Sequence, residues 1–144
     1  MHGKLRRAVA LVVPVLLGVC MPTLWAFAAE KGPIWIGYFA PITGTFSQTG
    51  KDMTDGFMLF WEEVGSEVAG RKVEVVVEDS EGVPTVALTK VRRLVEQTKV
   101  HTLAGGLLSA TGYTIAPYVE QNKIPTVYPV MAPDDITQWN SATR

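Results

Sequence analysis

Between residues 34 and 129, short apolar runs rich in β-branched residues alternate with stretches of helical periodicity. That alternation restricts the fold more than any other feature of the chain. A strand, a crossover helix and a second strand lie side by side in one favoured way, as a parallel sheet with right-handed connections. The spacing predicts strands over residues 34–40, 71–78, 100–105 and 124–129. It predicts helices over 51–68, from Pro84 through Thr98, and from Ser109 or Thr111 to Asn122. The first helix carries Met53, Phe57, Phe60, Trp61, Val64 and Val68 as one apolar stripe. The second turns Ala87, Val91, Leu94, Val95 and Thr98 inward, with Arg92, Arg93 and Glu96 outward. Pro117 is an irregularity in the third helix, and Pro125 and Pro129 bracket the last strand. The expected class is therefore α/β, a doubly wound parallel sheet with helices on both faces. Strand order is not written in the pattern. Both common orders place a switch point beside the first strand, where ligands bind at the carboxyl ends. The loops there are 41–50, 79–83, 106–112 and 130–137. In the order 2-1-3-4, the first and third of them face each other.

Residues 1–28 have a different character. Lys4, Arg6 and Arg7 precede an apolar run from Ala8 to Val19, and Ala26-Phe27-Ala28 places small residues where a signal peptidase cuts. This is the pattern of a secretory signal peptide. The apolar run is short and Pro14 interrupts it, so a membrane anchor fits less well. Cleavage near Ala28 would leave no stable membrane insertion, and the expected location is periplasmic. Cys20 is the only cysteine and lies in this segment. Val19 is large where a lipoprotein box needs a small residue, which argues against lipid anchoring. Without the three basic residues named above, 10 basic and 14 acidic residues remain, a net charge of −4. That balance argues against nucleic acid as a partner. No disulfide framework or cysteine metal site is available after residue 28.

Most chemistry-bearing motifs are absent. The first turn lacks the Gly-x-Gly-x-x-Gly of dinucleotide binders, and no phosphate-binding Gly-x-x-x-x-Gly-Lys-Ser/Thr occurs. Glu78 and Asp79 end the second strand, and without that glycine turn they read as loop acids that bond locally or face solvent. His101 reads as a core or rim residue. Asp134 and Asp135 read as caps of an element near Ile136. Ser109 has no nucleophile-elbow context. Nothing assembles a nucleophile, a base and an orienting group, so an enzyme is not expected, nor is a cofactor or a metal.

What remains is the corner Gly105-Gly106-Leu107-Leu108-Ser109-Ala110-Thr111-Gly112. The glycines permit a tight backbone turn. Ser109 and Thr111 then sit where a helix begins, with hydroxyls and first-turn N–H groups available. The facing loop holds Thr43, Thr45, Ser47 and Thr49, and Phe46, Tyr113, Tyr128 and Met131 add apolar or aromatic surface. The corner either binds a small polar ligand or has Ser109 as a simple helix cap. On spacing alone both readings stand.

Five stretches in order also resemble one known family. Ile36-Gly37-Tyr38-Phe39-Ala40-Pro41-Ile42-Thr43-Gly44 resembles the "IGxxxPLTG" opening of periplasmic substrate-binding proteins of the leucine/isoleucine/valine-binding type. Gly70 to Asp79 resembles "GRKIELVVED", Lys90 to Lys99 "KLVxxDKV", Gly105 to Thr111 "GPxSS", and Ile124 to Thr137 "VPxISPxATxPxLT". The resemblance implies a type I periplasmic-binding fold, with two lobes closing on a ligand that is handed to an ABC permease. It implies that Ser109 bonds the ligand's carboxylate, with Ala110 and the Thr111 N–H close by. It also implies that the segment Val130-Met131-Ala132 offers a carbonyl and an N–H to the ligand. Phe46 and Thr49 lie in the first loop of the same site.

The chain departs from that pattern at two places. Ala132 stands where the family has Thr, and Thr49 where it has an aromatic residue. The clamp on an α-amino acid is thus incomplete, while Val130 and Met131 make the corner more apolar. An aromatic or aliphatic carboxylate, or an amide, is expected to fit better than a branched-chain amino acid. The resemblance reaches only the N-terminal half of lobe one, so the chain reads as a signal peptide, 1–28, followed by a truncated leucine-binding-protein-like domain, 29–144. The alternative is an extracytoplasmic sensor domain of the same fold, which a kinase domain or membrane helix beyond Arg144 would favour.

Overall fold

The structure, a computed structural model, describes residues 32–131 and residue 133. The proposed signal segment, Ala132, Asp134 and Asp135 lie outside the described residues. The elements are β1 (Ile34–Ala40), α1 (Ser47–Glu63), β2 (Glu67–Val68), β3 (Arg71–Asp79), α2 (Pro84–Arg93), β4 (Thr102–Gly105), α3 (Ser109–Asn122) and β5 (Thr126–Val127). A π-helical turn, Leu94–Thr98, extends α2 and ends at Lys99 in the left-handed region. Pro117 does not break α3.

The sheet order is β2-β3-β1-β4-β5. Strands β3, β1, β4 and β5 are parallel, and β2 is antiparallel to β3. Numbering the parallel strands alone gives 2-1-3-4, one of the two orders open from the sequence. Strand β1 is central, aligned with β3 from Ile34↔Val73 to Ala40↔Asp79 and with β4 from Ile36↔Thr102 to Phe39↔Gly105.

Because successive side chains alternate across a strand, β1 contributes to two cores. On one face, Phe39 joins Leu103, Val91 and Leu94 of the second helix, and Ile115 and Val119 of the third, all fully buried. On the other, Ile36, Tyr38, Ala40, Val73 and Ala104 lie under Phe57 and Trp61 of α1. The Tyr38 and Phe57 rings stack with centroids 4.4 Å apart. Each large side chain buried this way stabilises the fold by about 1.5–3 kcal/mol.

The first helix differs most from its sequence reading. It starts at Ser47, inside the stretch read as loop, and ends at Glu63 rather than Val68. Gly65 and Ser66 take positive φ and turn the chain out of the helix. Glu67 and Val68 then pair with Lys72 and Arg71 as a short hairpin. Its two turn residues, Ala69 and Gly70, both have positive φ, which suits the twist of a two-residue hairpin. The apolar stripe is only partly covered. Phe57 and Trp61 meet the sheet, whereas Phe60, Val64 and Val68 on the flank are exposed.

Gly50 is the one fully buried residue of α1. A Cβ there would collide with the Pro41 carbonyl oxygen, so the helix can approach the end of β1 only without a side chain. In most exposed helix positions Gly→Ala stabilises by about 1 kcal/mol. Here Gly50→Ala is expected to destabilise by about 1–3 kcal/mol, because backbone must move. The midpoint of urea unfolding checks the sign.

Candidate functional site

From β1 the chain crosses to β3 on one side, then returns past β1 to β4 on the other. The connections after β1 and β4 therefore diverge, and a crevice opens between them at the carboxyl ends of the strands. Among the described residues, Phe46, Thr49, Ser109, Ala110, Thr111, Val130 and Met131 lie on the segments that leave this edge.

At the end of β4, Gly105 and Gly106 have φ of 119° and 81°. A Cβ on Gly105 would meet the Phe39 carbonyl oxygen, and one on Gly106 would meet Met131 Cε and the Phe39 ring. The Gly106 N–H donates to the Phe39 carbonyl at 2.7 Å. The ends of β1 and β4 and the segment after β5 thus meet at one point, and Met131 is packed into it. Val130, next to it, is exposed.

Helix α3 starts immediately after this corner. Its N-cap is Leu108, in extended conformation, and no side chain among the described residues caps the helix. Ser109 is the first helical residue, so the reading of Ser109 as an N-cap is not what the chain adopts. The reason is backbone geometry: a capping residue is non-helical, and that place is taken by Leu108. The Thr111 and Gly112 amides donate to the Leu108 carbonyl at 3.0 and 3.2 Å. The Ser109 and Ala110 amides precede those first bonds. Ser109 is half-buried, Ala110 exposed, and Thr111 only 2% exposed. The open end of the helix therefore consists of Ser109 and Ala110, with Thr111 engaged inward.

In the segment between β1 and α1, Phe46 is 40% exposed. Gly82, in the β3–α2 loop, lies so close that a Cβ there would sit 3.1 Å from Phe46 Cδ2. Thr49 lies in the first turn of α1 and is exposed. Asp79 fastens this segment. Its Oδ1 accepts from the amides of Ile42 at 2.9 Å, Thr43 at 3.3 Å and Glu81 at 2.8 Å, and its Oδ2 accepts from Thr43 Oγ1 at 2.6 Å. Sequence reasoning placed a locally bonding acid here but could not name partners more than thirty residues away. Its neighbour Glu78 behaves otherwise. It is buried, not solvent-facing, and pairs with Lys90 at 3.1 Å and Arg93 at 3.3 Å, fixing α2 to β3.

His101 is an exposed rim residue whose Nδ1 accepts the Trp35 amide at 3.0 Å. Tyr128, just beyond β5, has a buried hydroxyl with no hydrogen-bond partner among the described residues, and burial pushes its pKa up to about 12. A shallow concavity of roughly 410 Å³ lies on α2 and its π turn, among Lys90, Arg92, Arg93 and Glu96. Its charges are already engaged, Lys90 and Arg93 with Glu78, and Arg92 over the Tyr118 ring. No group of three or more potential metal ligands occurs among the described residues, and none of their helices is long and apolar enough to cross a membrane.

The clasp around Asp79 has a pH consequence. Partial burial pushes its carboxyl up, but the hydrogen bonds from Thr43, Glu81 and Ile42 together outweigh that, so its pKa lies below the ordinary 3.8. A lowered folded-state pKa means that the carboxylate stabilises the fold fully above 3.8 and stops doing so as pH falls through the folded-state value. Urea midpoints of wild type and Asp79→Asn, compared from about pH 6 to about pH 2, are expected to differ most at the upper end and to converge at the acid end.

Comparison with known proteins agrees with the fold. The family model described as "Periplasmic binding protein" matches residues 33–143. The Leu/Ile/Val-binding protein homolog 6 of Brucella abortus is 25% identical over 141 residues, covering 89% of this chain and 36% of the relative. A leucine binding protein from Thermotoga maritima superposes with a TM-score of 0.72 at 31% identity, over 76% of this chain and 31% of that one. A solute binding protein of an ABC transporter from Rhodopseudomonas palustris, solved with 3,4-dihydroxybenzoic acid, gives 0.73 at 26% identity, over 77% and 31%. The chain thus spans about a third of the length of the proteins it matches. The family and its fold are those of solute-binding proteins, not enzymes. The chain belongs to the periplasmic binding protein family.

Proposed function

We infer that the chain forms part of the extracytoplasmic solute-binding component of an ABC uptake transporter. It is exported by a signal peptide cleaved near Ala28, works in the periplasm and delivers a small organic ligand to permease subunits. The observation that carries this reading is the uncapped start of α3, placed beside the switch point of the sheet. A helix N-terminus with free amides favours negative charge, and the Ser109 hydroxyl stands at the same place. The expected partner is therefore a carboxylate, bonded by Ser109 and the first-turn amides of Ser109 and Ala110.

The rest of the edge supports an apolar or aromatic body for that ligand. Phe46 and Val130 are exposed, and Met131 fills the corner at Gly106. Ala132 provides no hydroxyl and Thr49 no ring. Both substitutions weaken the case for a free α-amino acid and favour an aromatic or aliphatic carboxylate, or an amide. Among the matched structures, one is named as a leucine binding protein and another was solved with 3,4-dihydroxybenzoic acid.

The two ligand types can be separated by calorimetry on the full-length protein with leucine and 3,4-dihydroxybenzoate. The aromatic acid is expected to bind more tightly. Ser109→Ala is expected to weaken its binding by about 1–3 kcal/mol, the loss of a charge-assisted hydrogen bond. Unchanged affinity in Ser109→Ala, with unfolding shifted instead, would assign the residue to stability alone.

A further inference from the structure

We propose that Asp79 is a positioning residue for the binding edge, holding the segment between β1 and α1 in the conformation that presents Phe46. The proposal rests on the solute-binding reading above.

The geometry is unusually complete for a loop. Asp79 is the last residue of β3 and lies in register with Ala40, the last of β1. Its carboxylate therefore projects from the sheet where the next segment turns away. It receives three amides and one hydroxyl, from Ile42, Thr43 and Glu81. Three of these bonds fall on Oδ1 and one on Oδ2, so most of the carboxylate's roughly four acceptor directions serve this clasp. Its bonds run in two directions, to the segment after β1 and to the loop after β3. Removing it would leave the Thr43 amide to solvent and the Ile42 amide with the Ala40 carbonyl alone, at 3.0 Å, so the two segments would be joined beyond the sheet chiefly through the Ser80 amide on that same carbonyl.

Further contacts show what the clasp controls. Gly44 lies against the Glu81 carbonyl oxygen, 2.8 Å from where a Cβ would be, and the Phe46 ring lies against Gly82. Gly82 has a φ of 72°. The two segments are thus zipped from Ile42 to Phe46, beginning at Asp79. The amides of Ser47 and Gly50 bond back to Gly44 and Phe46, so the same segment also sets where α1 begins and where Thr49 stands. Asp79 touches no ligand in this account; it acts through Thr43, Gly44 and Phe46.

The test compares wild type, Asp79→Ala and Asp79→Asn in the full-length protein, by amide hydrogen exchange and by binding of 3,4-dihydroxybenzoate and leucine. Asn can still accept amides through its oxygen and donate to a rotated Thr43 hydroxyl, so it keeps the geometry without the charge. Asp79→Ala is expected to lower protection at Thr43 and Glu81 by about tenfold or more, less at Ile42, whose amide also bonds the Ala40 carbonyl, and affinity for the tighter probe by a similar factor. Protection within β1, β3 and β4 is expected to stay unchanged, and Asp79→Asn to recover most of both losses. Three results overturn the proposal: loop protection unchanged in Asp79→Ala, protection lost throughout the sheet, or loop protection lost with affinity intact. If neither probe binds wild type, the ligand assignment fails, while exchange alone then decides whether Asp79 holds the segment.

Discussion

Strand β1 is hydrogen-bonded to a parallel neighbour on each side, and the rest of the structure depends on that position. A parallel sheet whose crossover helices lie on both sides buries both faces, and β1 does so with Phe39 toward α2 and α3 and with Tyr38 toward α1. The same placement makes the chain reverse direction beside β1, so its carboxyl end borders a crevice. Close backbone contacts then finish the edge. Gly50 lets α1 meet Pro41, and Gly105 and Gly106 let the end of β4 lie against Phe39.

Charge and hydrogen bonding divide the edge into two parts. On the β3 side, two adjacent acids do different work. Glu78 points down to Lys90 and Arg93 and anchors a helix, while Asp79 binds backbone and fixes a loop. On the β4 side, the start of α3 has no capping side chain among the described residues, and Leu108 occupies the place a Ser or Asp would normally take. A helix end that is tied on its inner side by Thr111 and left open at Ser109 and Ala110 suits an anion arriving from outside.

The order of elements and the parallel sheet were legible in the sequence because hydrophobic period reports burial directly. The inward positions of Val91 and Leu94, and the burial of the strand that holds Phe39, follow from it. The hairpin at Glu67 and Val68 was not legible, since a helical stripe runs through Val64 and Val68 and only the positive φ values at Gly65 and Ser66 reveal the turn. The start of α1 was hidden by the hydroxyl and glycine residues of 43–50, which read as loop but include the buried close approach at Gly50. Ser109 was visible as a special residue, but its role as first helical residue instead of cap depends on the backbone angles of Leu108. Long-range partners, such as Ile42 with Asp79 or Glu78 with Arg93, are tertiary facts that no local pattern encodes.

The central claim is that the open start of α3 receives the carboxylate of a small ligand. It is tested most directly by backbone amide chemical shifts of the full-length protein during titration with 3,4-dihydroxybenzoate. The account predicts the largest changes at Ser109 and Ala110, with smaller ones around Phe46 and Met131. Saturable changes confined to the charged surface of α2, or none at Ser109 and Ala110 while binding is seen by calorimetry, would contradict it.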